Sequence, residues 1–402
     1  MNILFKAYCR IYQAVFRIVV PLLPWRKPEL IEGENSLLKL PVFIKSKGIK
    51  KVLIVTDKGI SSLGLVEPLK EGLEKEGIAY AFYDKTVPNP TIDNIEEAAA
   101  LYRENGCEAI IAFGGGSPMD CAKGVGARIA RPDKPIPKMK GVLKVLRKLP
   151  PLFAIPTTAG TGSEATLAAV ITNSETHEKY PINDVVLIPR YAVLDPVLTK
   201  GLPKHITSTT GMDALTHAVE AYIGRSNTRE TEDMAKKAVK LIFDNLKEAY
   251  DNGSNLEARR NMQFAAYYAG VAFTRAYVGY VHAVAHTLGG MYNVPHGLAN
   301  AVILPVVLEA FGESAHKRLA ELADVAGITS EGETDEQKAN KFIAAIKEMN
   351  AYMQIPTAIK GIKDEDLPIL AKRAFKEANP LYPVPRLMGL DEITKIFKAV
   401  QE

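Results

Sequence analysis

The residues with the clearest capacity for chemistry are an aspartate and four histidines in the second half of the chain. Asp213 and His217 are four residues apart, and His282 and His286 are separated by the same interval. In a helix this spacing places both side chains of a pair on one face. Two such pairs on facing helices, with His296 nearby, could bind a divalent transition metal. These four histidines are the majority of the chain's seven, so we predict a metal site, although spacing alone does not decide between His282 and His286 as ligands.

A glycine-rich turn in the first half of the chain has the features of a phosphate-binding loop. It follows an apolar run that predicts a strand, and it consists of Gly114, Gly115, Gly116 and Ser117, with Pro118 next. We expect Ser117 to cap the following helix and Pro118 to occupy its first position. Glycines let the backbone approach a ligand closely, and a helix start attracts an anion such as a pyrophosphate. The spacing is not the Gly-x-Gly-x-x-Gly fingerprint, and a tight turn that binds nothing is the alternative.

Two further features could contact a nucleotide. A second loop of small residues follows another predicted strand, and it carries the hydroxyls of Thr157, Thr158 and Thr161. These could reach a phosphate, a ribose or a nicotinamide amide; a helix start capped by Thr161 or Ser163 is the alternative. Asp57 ends the first predicted strand, where a carboxylate can accept hydrogen bonds from ribose hydroxyls and would repel a 2′-phosphate. An ordinary loop aspartate is the alternative there.

Length and composition fit a soluble protein of two domains. The 402 residues allow a large core, and 47% of them are apolar and 24% charged, as in ordinary globular proteins. The net charge of +4 gives no reason to expect a nucleic-acid partner, and we interpret the basic run at 134–148 as a solvated helix and loop. Three scattered cysteines are too few for a disulfide framework, so a reducing cytoplasm is the expected compartment.

The first 30 residues predict an amphipathic helix. Apolar side chains recur at helical spacing, namely Leu4, Tyr8, Ile11, Val15, Ile18 and Leu22. A narrow polar stripe is formed by Lys6, Arg10, Gln13 and Arg17. The charges interrupt the apolar run too often for a membrane-spanning helix, and no signal-peptide cleavage site follows. We expect this helix to dock on its own protein or on a partner subunit; an interfacial helix on a membrane surface is the alternative.

Strand and helix signals alternate between residues about 50 and 195, which predicts a parallel sheet with covered faces. The predicted strands are 52–56, 79–83, 109–113 and 152–155, and the predicted helices include 63–75 and 95–104. After about residue 198 long helical stretches dominate. We therefore predict three parts, which are an N-terminal helical extension at 1–30, an α/β domain at 31–198 and an all-helical domain at 199–402.

These segments together resemble the iron-containing (group III) alcohol dehydrogenase family from about residue 35 to the C-terminus. The motifs that carry the resemblance are Gly-Gly-Gly-Ser-x-x-Asp-x-x-Lys at 114–123, Pro-Thr-Thr-Ala-Gly-Thr-Gly-Ser-Glu at 156–164, Asp-Ala-Leu-Thr-His-Ala at 213–218, Gly-Tyr-Val-His-Ala-Val-Ala-His at 279–286 and Pro-His-Gly at 295–297. The resemblance implies a dehydroquinate synthase-like architecture. An N-terminal α/β domain would bind NAD(P), an all-helical domain would hold the metal, and the active site would lie in the cleft between them.

The resemblance also assigns roles to individual residues. It implies that the metal ligands are Asp213, His217, His282 and His296, while His286 lies beside the nicotinamide and the substrate and is our candidate for relaying the alcohol proton. The cofactor-binding residues that it implies, with the turn and Asp57 included, are Asp57, Pro88, Gly114, Gly115, Gly116, Ser117, Asp120, Thr157, Thr158, Thr161 and Lys179. NAD is then expected rather than NADP, and Fe(II) is the expected metal, with Zn(II) or another divalent ion possible. The subunits are expected to form a homodimer or a larger homo-oligomer.

Three positions are expected to line the substrate pocket. Phe273 corresponds to an aromatic residue near the nicotinamide, whereas Ala168 and Phe375 replace a polar Asn and a small Cys of some diol-oxidising members. These departures predict an apolar pocket and the reversible oxidation of a small primary alcohol to its aldehyde. A glycerol- or diol-type polyol dehydrogenase is the closest alternative. A dehydroquinate synthase-like lyase would need a Lys and Arg cluster that the C-terminal motifs do not show, and a purely structural metal would leave the glycine turn unexplained.

Overall fold

The computed structural model describes residues 1–176 and 178–402. They form two compact units, one of Pro24–Gly201 and one that joins Met1–Leu23 to Leu202–Glu402. The chain begins with helix α1 (Ile3–Val19), which is part of the second unit. The sequence predicted divisions after residues 30 and 198, whereas the contacts divide the chain after Leu23 and Gly201.

The Pro24–Gly201 unit is built on a six-stranded, all-parallel sheet of order β1-β9-β6-β4-β2-β3. In the described residues of the unit the strands are β1 (Glu29–Glu32), β2 (Lys51–Val55), β3 (Ala79–Tyr83), β4 (Ala109–Gly114), β5 (Gly141–Val142), β6 (Leu152–Pro156), β7 (Ala168–Thr172), β8 (Lys179–Asn183) and β9 (Tyr191–Leu194). Strands β4 and β6 are buried along their whole length, as expected for parallel strands covered on both faces. The four strands predicted from the sequence are confirmed.

The chain reverses its direction of travel across the sheet between β2 and β4. Strand β2 pairs with β3 on one side and with β4 on the other, so that Val55 is opposite both Tyr83 and Ala112. Such a reversal leaves a crevice outside the carboxyl ends of the two strands, where α/β proteins bind ligands. Asp57 and the glycine turn follow β2 and β4 and therefore border this point.

The helices that cover the sheet, as far as the structure describes this unit, are α2 (Leu40–Ser46), α3 (Lys58–Ser62), α4 (Glu67–Lys75), α5 (Ile92–Glu104) and α6 (Gly116–Ala130). Their apolar side chains pack against the sheet in two clusters. Alternate residues of the same strand belong to different clusters, because they point to opposite faces of the sheet. The single helix predicted at 63–75 is wrong in its first part, because α3 ends at Ser62 and α4 begins at Glu67 with Pro68 in its first turn. Proline is favoured in the first turn of a helix, because the N–H group that it lacks would have no intrahelical acceptor there. A small sheet of order β5-β8-β7 was not predicted.

The other unit is helical after α1. Its helices are α7 (Lys204–Ile223), α8 (Arg229–Asp251), α9 (Leu256–Ala276), α10 (Tyr280–Tyr292), α11 (His296–Phe311), α12 (Glu313–Ala326), α13 (Asp335–Tyr352), α14 (Leu367–Ala378) and α15 (Leu390–Ala399). Every residue from Gly211 to Ile223 of α7 is buried, because helices pack around it on all sides. Among the helices of the described residues, none combines the length and apolar character needed to cross a membrane.

Candidate metal centre and glycine turn

Four side chains of the helical unit converge on one point. Asp213 and His217 lie on α7, His282 lies on α10, and His296 is the first residue of α11. One potential ligand atom from each lies within 4.8 Å of the others. Three of the four side chains are buried and His296 is half-buried. The four ligands that the family resemblance implied are therefore brought together, with a carboxylate and imidazoles and no thiolate.

The ring of His282 is held by a buried glutamate. Its Nδ1 lies 2.6 Å from Oε2 of Glu220, and Oε1 of the same carboxylate accepts a hydrogen bond of 2.7 Å from the backbone N–H of Val281. When Nδ1 donates to Glu220, the lone pair of Nε2 points away from the carboxylate, as a metal ligand requires. Burial, followed by the neighbouring His217, His296 and His286, holds the pKa of His282 well below its usual value, which favours the neutral, ligating form.

The side-chain amide nitrogen of Asn300 lies among three members of the cluster. Its Nδ2 lies 2.6 Å from Oδ1 of Asp213, 3.2 Å from Nε2 of His282 and 3.1 Å from Nε2 of His296. An amide nitrogen has two hydrogens, yet three atoms surround this one that all accept hydrogen bonds when both imidazoles carry no proton on Nε2. A buried cluster that contains more hydrogen-bond acceptors than donors suits a cation. The residues present therefore fit a divalent metal.

Aromatic contacts fix the remaining imidazoles. Phe273 stacks on His217 with ring centroids 4.1 Å apart and an angle of 11° between the planes. His286 stacks on His296 at 5.2 Å and 18°. Phe273, which was predicted near the nicotinamide and substrate, thus contacts a residue of the metal cluster.

His286 belongs to a second hydrogen-bonded chain beside the cluster. Its Nδ1 lies 2.6 Å from Oε1 of Glu377 on α14, and the same oxygen accepts a bond of 3.0 Å from the Tyr382 hydroxyl. The His286 side chain is 27% exposed, so solvent can reach it. A half-exposed imidazole oriented by a carboxylate has the arrangement of a proton-transfer group.

Helix α1 contacts the segment that carries Tyr382. Gln13 Nε2 donates to the carbonyls of Pro380 and Tyr382 at 3.0 and 2.8 Å. Phe5 of α1 stacks on Phe375 of α14 with ring centroids 5.6 Å apart. One face of Phe375, a predicted substrate-pocket residue, is therefore covered by the N-terminal helix.

In the Pro24–Gly201 unit the glycine turn joins β4 to α6. Gly114 has φ +147°, which L-residues other than glycine rarely adopt. Cβ atoms added at Gly115 and Gly116 would lie 3.4 Å from Thr158 and 3.0 Å from Thr161. The small residues therefore let the two predicted cofactor loops approach each other.

The predicted start of the helix is wrong by two residues. Gly115 is the N-cap and α6 begins at Gly116, so Ser117 and Pro118 lie inside the first turn. The extended backbone of Gly115 (φ −82°, ψ −157°) already turns the chain into the helix, and no side-chain cap is formed there. Pro118 is tolerated because the N–H groups of the first turn have no intrahelical acceptor.

Asp120 and Lys123 of α6 connect the turn to the second loop. Asp120 accepts hydrogen bonds from the Ser163 hydroxyl at 3.1 Å and the Val170 N–H at 3.0 Å. Lys123 is fully buried and donates to the Ser163 and Thr166 hydroxyls and to the carbonyl of Ala168 at 2.8–2.9 Å. Burial raises the pKa of Asp120. The polar groups of Asp120 are thus used to hold the loop and β7, where Ala168 is the first residue.

The loop that contains Pro88 also reaches the start of α6. Asn89 donates its backbone N–H to the Ser117 hydroxyl at 3.3 Å, and Lys179 Nζ donates to Oδ1 of Asn89 at 2.7 Å. Pro88 itself is exposed. Three predicted cofactor residues, Pro88, Ser117 and Lys179, are therefore brought together through Asn89.

Asp57 and Thr157 complete the candidate cofactor site. Asp57 is the N-cap of α3, where its Oδ1 accepts a 2.9 Å bond from the Ile60 N–H. Its position after β2 is the one predicted, but one carboxylate oxygen caps a helix. The buried hydroxyl of Thr157 has no hydrogen-bond partner among the described residues, and its N–H donates to the Gly114 carbonyl. An unused hydroxyl beside a glycine turn fits a site for a polar ligand.

Several residues of these sites were missed from the sequence. Glu220 lies three residues after His217 and Asn300 lies four after His296, so helical spacing places each on the face of a predicted ligand. Glu377 and Asn89 have no such signal, because folding brings them to His286 and Ser117 from distant positions in the chain.

The chain matches known proteins over nearly its whole length. Residues 28–196 match the family described as "Iron-containing alcohol dehydrogenase", and residues 207–401 match "Fe-containing alcohol dehydrogenase family, C-terminal". The 1,3-propanediol dehydrogenase of Klebsiella pneumoniae is 41% identical over 370 residues, which are 91% of this chain and 95% of that protein.

Solved structures give the same result. An alcohol dehydrogenase from Oenococcus oeni superposes with a TM-score of 0.90 at 39% identity, covering 94% of this chain and 99% of that one. The sulfoacetaldehyde reductase of Bifidobacterium kashiwanohense, solved in complex with NAD+, superposes with a TM-score of 0.83 at 27% identity, covering 94% and 98%.

These matches agree with the α/β and helical units and with the metal cluster. The protein is therefore a metal-dependent oxidoreductase that interconverts alcohols and aldehydes with NAD(H). The chain belongs to the iron-containing alcohol dehydrogenase family.

Proposed function

We propose that this enzyme interconverts a small primary alcohol and its aldehyde, with Fe(II) as its metal and NAD(H) preferred to NADP(H). The observation that carries the proposal is the convergence of Asp213, His217, His282 and His296, whose ligand atoms lie within 4.8 Å of one another. Oxygen and nitrogen donors without thiolate suit Fe(II), Zn(II), Mn(II), Co(II) or Ni(II). Iron is proposed because the family is named for it.

The chain's own residues would orient and transfer protons at this centre. When bound, the metal would polarise the oxygen of the alcohol or aldehyde, and the nicotinamide would carry the hydride. Glu220 keeps the proton of His282 on Nδ1 and leaves Nε2 to the metal. His286, oriented by Glu377, would take the alcohol proton on Nε2 in oxidation and return it in reduction.

Cofactor binding is assigned to the carboxyl edge of the parallel sheet. The free N–H groups of Gly115, Gly116 and Ser117 at the start of α6 would bind the pyrophosphate. Asp57, at the end of the neighbouring strand β2, would accept hydrogen bonds from the adenosine ribose and repel the 2′-phosphate of NADP. Thr157, Thr158, Thr161, Lys179 and Pro88 would line the site, whereas Asp120 would act through the loop that it holds.

The substrate is proposed to be a small primary alcohol with an apolar chain. Phe273, Ala168 and Phe375 offer no polar group that would recognise the internal hydroxyl of a polyol. A relative at 41% identity is named for 1,3-propanediol, which has hydroxyls at its two ends, so a diol-type substrate is the second candidate. We also propose a homo-oligomer in the cytoplasm, where the three free, buried cysteines would stay reduced.

The decisive experiment compares His282→Ala with His316→Ala, a histidine of the same unit outside the cluster. Both variants and the parent are purified anaerobically, analysed for metal, titrated with NADH and assayed with aldehydes that include those of simple alkanols and of 1,3-propanediol. We expect His282→Ala to lose its metal and its turnover while NADH still binds. Full activity in His282→Ala, or equal metal loss in both variants, would show that the ligand assignment is wrong.

A further inference from the structure

The polar side of helix α1 faces its own protein. Gln13 donates to the carbonyls of Pro380 and Tyr382, and Arg10 donates to those of Val384 and Pro385 at 2.9 and 3.0 Å. This proline-rich segment supplies few N–H donors of its own, so its carbonyls need donors from elsewhere. Gln13 is buried as a result. Helix α1 is therefore docked through these hydrogen bonds and the contact of Phe5 with Phe375, and not through its apolar stripe.

The opposite, apolar side of α1 is exposed. Nine large apolar side chains of the first 22 residues are exposed, namely Met1, Ile3, Leu4, Tyr8, Ile11, Val15, Ile18, Val19 and Leu22. Ile3 and Leu22 at the two ends are 81% and 80% exposed, and Ile18 is 71% exposed. A continuous apolar surface of this kind marks an interaction site.

The segment that carries this surface has charge of one sign. Residues 1–28 contain five basic residues and no Asp or Glu, although the whole chain has 50 basic and 46 acidic residues. Lys6 and Arg17 are exposed on α1, in the polar stripe that they share with Arg10 and Gln13 by helical spacing. The partner of this helix should therefore have an apolar interior and carry negative charge.

A cavity lined by arginines adjoins the C-terminal half of α1. It has a volume of about 430 Å³, and its polar lining comes from Arg17, Arg225, Asn227, Glu232, Ser314 and Arg318. Glu232 is paired with Arg318 at 2.6 Å. In the described part of the chain, Arg17 and Arg225 form no ion pair. Two cations without counter-charges beside a cavity suit a phosphate group.

We propose that α1 is an interfacial helix that binds the surface of an anionic phospholipid bilayer, with a lipid phosphate in the cavity beside Arg17 and Arg225. The nine apolar side chains would enter the acyl boundary while Gln13 and Arg10 keep the helix docked on the enzyme. A second copy of the chain fits less well. Stable interfaces use about 20–30 residues on each side, and an isologous contact would bring together two segments of the same positive charge.

Flotation with lipid vesicles tests the apolar contact. The full-length protein is mixed with phosphatidylcholine vesicles that contain or lack phosphatidylglycerol. We expect the parent to float with the anionic vesicles and the double variant Ile11→Ser/Ile18→Ser to lose more than about tenfold in affinity, since each buried CH₂ contributes about 0.8 kcal/mol. The matched control is Leu38→Ser/Leu63→Ser, which changes two exposed apolar residues of the other unit and should float like the parent.

A charge variant tests the cavity. Arg17→Gln/Arg225→Gln should weaken binding to anionic vesicles by roughly fivefold for each arginine, from about 1 kcal/mol per charge, whereas Arg103→Gln should not. Equal flotation of the charge variant and the parent would overturn the phosphate site. Parent protein that never floats, together with a change of oligomeric state in Ile11→Ser/Ile18→Ser by light scattering, would overturn the bilayer in favour of a second copy.

The rate of alkylation of the Cys9 thiol tests whether α1 stays docked on the enzyme. Its thiol is fully buried, and its Sγ lies 4.0 Å from Oδ1 of Asn379. We expect alkylation of Cys9 to be equally slow with and without anionic vesicles. Rapid alkylation on the vesicles would show that the helix leaves the protein, and the docked arrangement would then be wrong.

Discussion

Glu220 Oε2 and His282 Nδ1 lie 2.6 Å apart in the buried core of the helical unit. Burial raises the pKa of Glu220 to about 8, despite the opposing effect of the backbone N–H groups that it accepts from. The carboxylate therefore needs a compensating positive charge nearby, which a metal on Nε2 of His282 would supply. The orientation of His282 therefore depends on the charge of the site, because a buried carboxylate beside a neutral imidazole is unfavourable without the cation.

Glu220 should control metal affinity without contacting the metal. Glu220→Ala removes the group that orients His282, and metal affinity should fall by about 10–100-fold. Glu220→Gln keeps an oxygen for the Val281 N–H and should lose less. Chelator competition measures both, with Glu309→Gln, an exposed residue, as the control. Unchanged competition in Glu220→Ala would contradict the role.

Glu377 should act on turnover through the orientation of His286. Glu377→Gln keeps the side-chain shape but removes the charge that holds the ring, so we expect kcat to fall about tenfold or more with KM and metal content near parent values. Tyr382→Phe, which removes one hydrogen bond to the same oxygen, should show a smaller loss of the same kind. A change in KM alone in either variant would indicate a structural effect on the pocket instead.

Asp57 should set the cofactor preference. Because its Oδ1 caps α3, the best substitution is Asp57→Ser, which retains an acceptor for the cap while it removes the negative charge. We expect the ratio of kcat/KM for NAD to that for NADP to fall, with the melting temperature nearly unchanged. Asp84→Ser, at the end of the adjacent strand β3, serves as the control. A parental cofactor ratio in Asp57→Ser would exclude Asp57 from nucleotide recognition.

The sequence predicted those parts of the structure that depend on local spacing. The four central strands and the convergence of Asp213, His217, His282 and His296 follow from hydrophobic runs, i,i+4 intervals and the family motifs. Glu220 and Asn300 could have been found in the same way. The start of α6 was misplaced because the conformation of Gly115, rather than a side-chain cap, begins that helix.

The orientation of α1 could not be predicted from its pattern. The periodicity distinguishes a polar and an apolar side, and the usual rule would bury the apolar one. Here a distant segment at 379–386 offers carbonyls that Arg10 and Gln13 satisfy, so the polar side is inside. Long-range partners decide such cases, and the same is true of the contact between Glu377 and His286.

Glu164 should make the stability of the enzyme fall between acidic and neutral pH. Its side chain is buried beside Lys123, and burial raises its pKa to about 7, from a model-compound value of 4.5. Between these two pH values the folded protein holds the proton more tightly than the unfolded chain does, so the free energy of unfolding decreases as pH rises. Glu164→Gln imitates the protonated form at every pH and should remove this decrease.

Urea unfolding of the parent and of Glu164→Gln at several pH values between 4.5 and 7 measures the effect. The variant should gain stability relative to the parent as pH rises, by up to about 3 kcal/mol from the shift in pKa. Contributions from the metal cluster titrate in both proteins and cancel in the difference. Glu97→Gln, a carboxylate that is bonded to the Tyr83 hydroxyl, provides the control, since its difference from the parent should not vary with pH in this way. A constant difference for Glu164→Gln would mean that Lys123 keeps Glu164 ionised throughout.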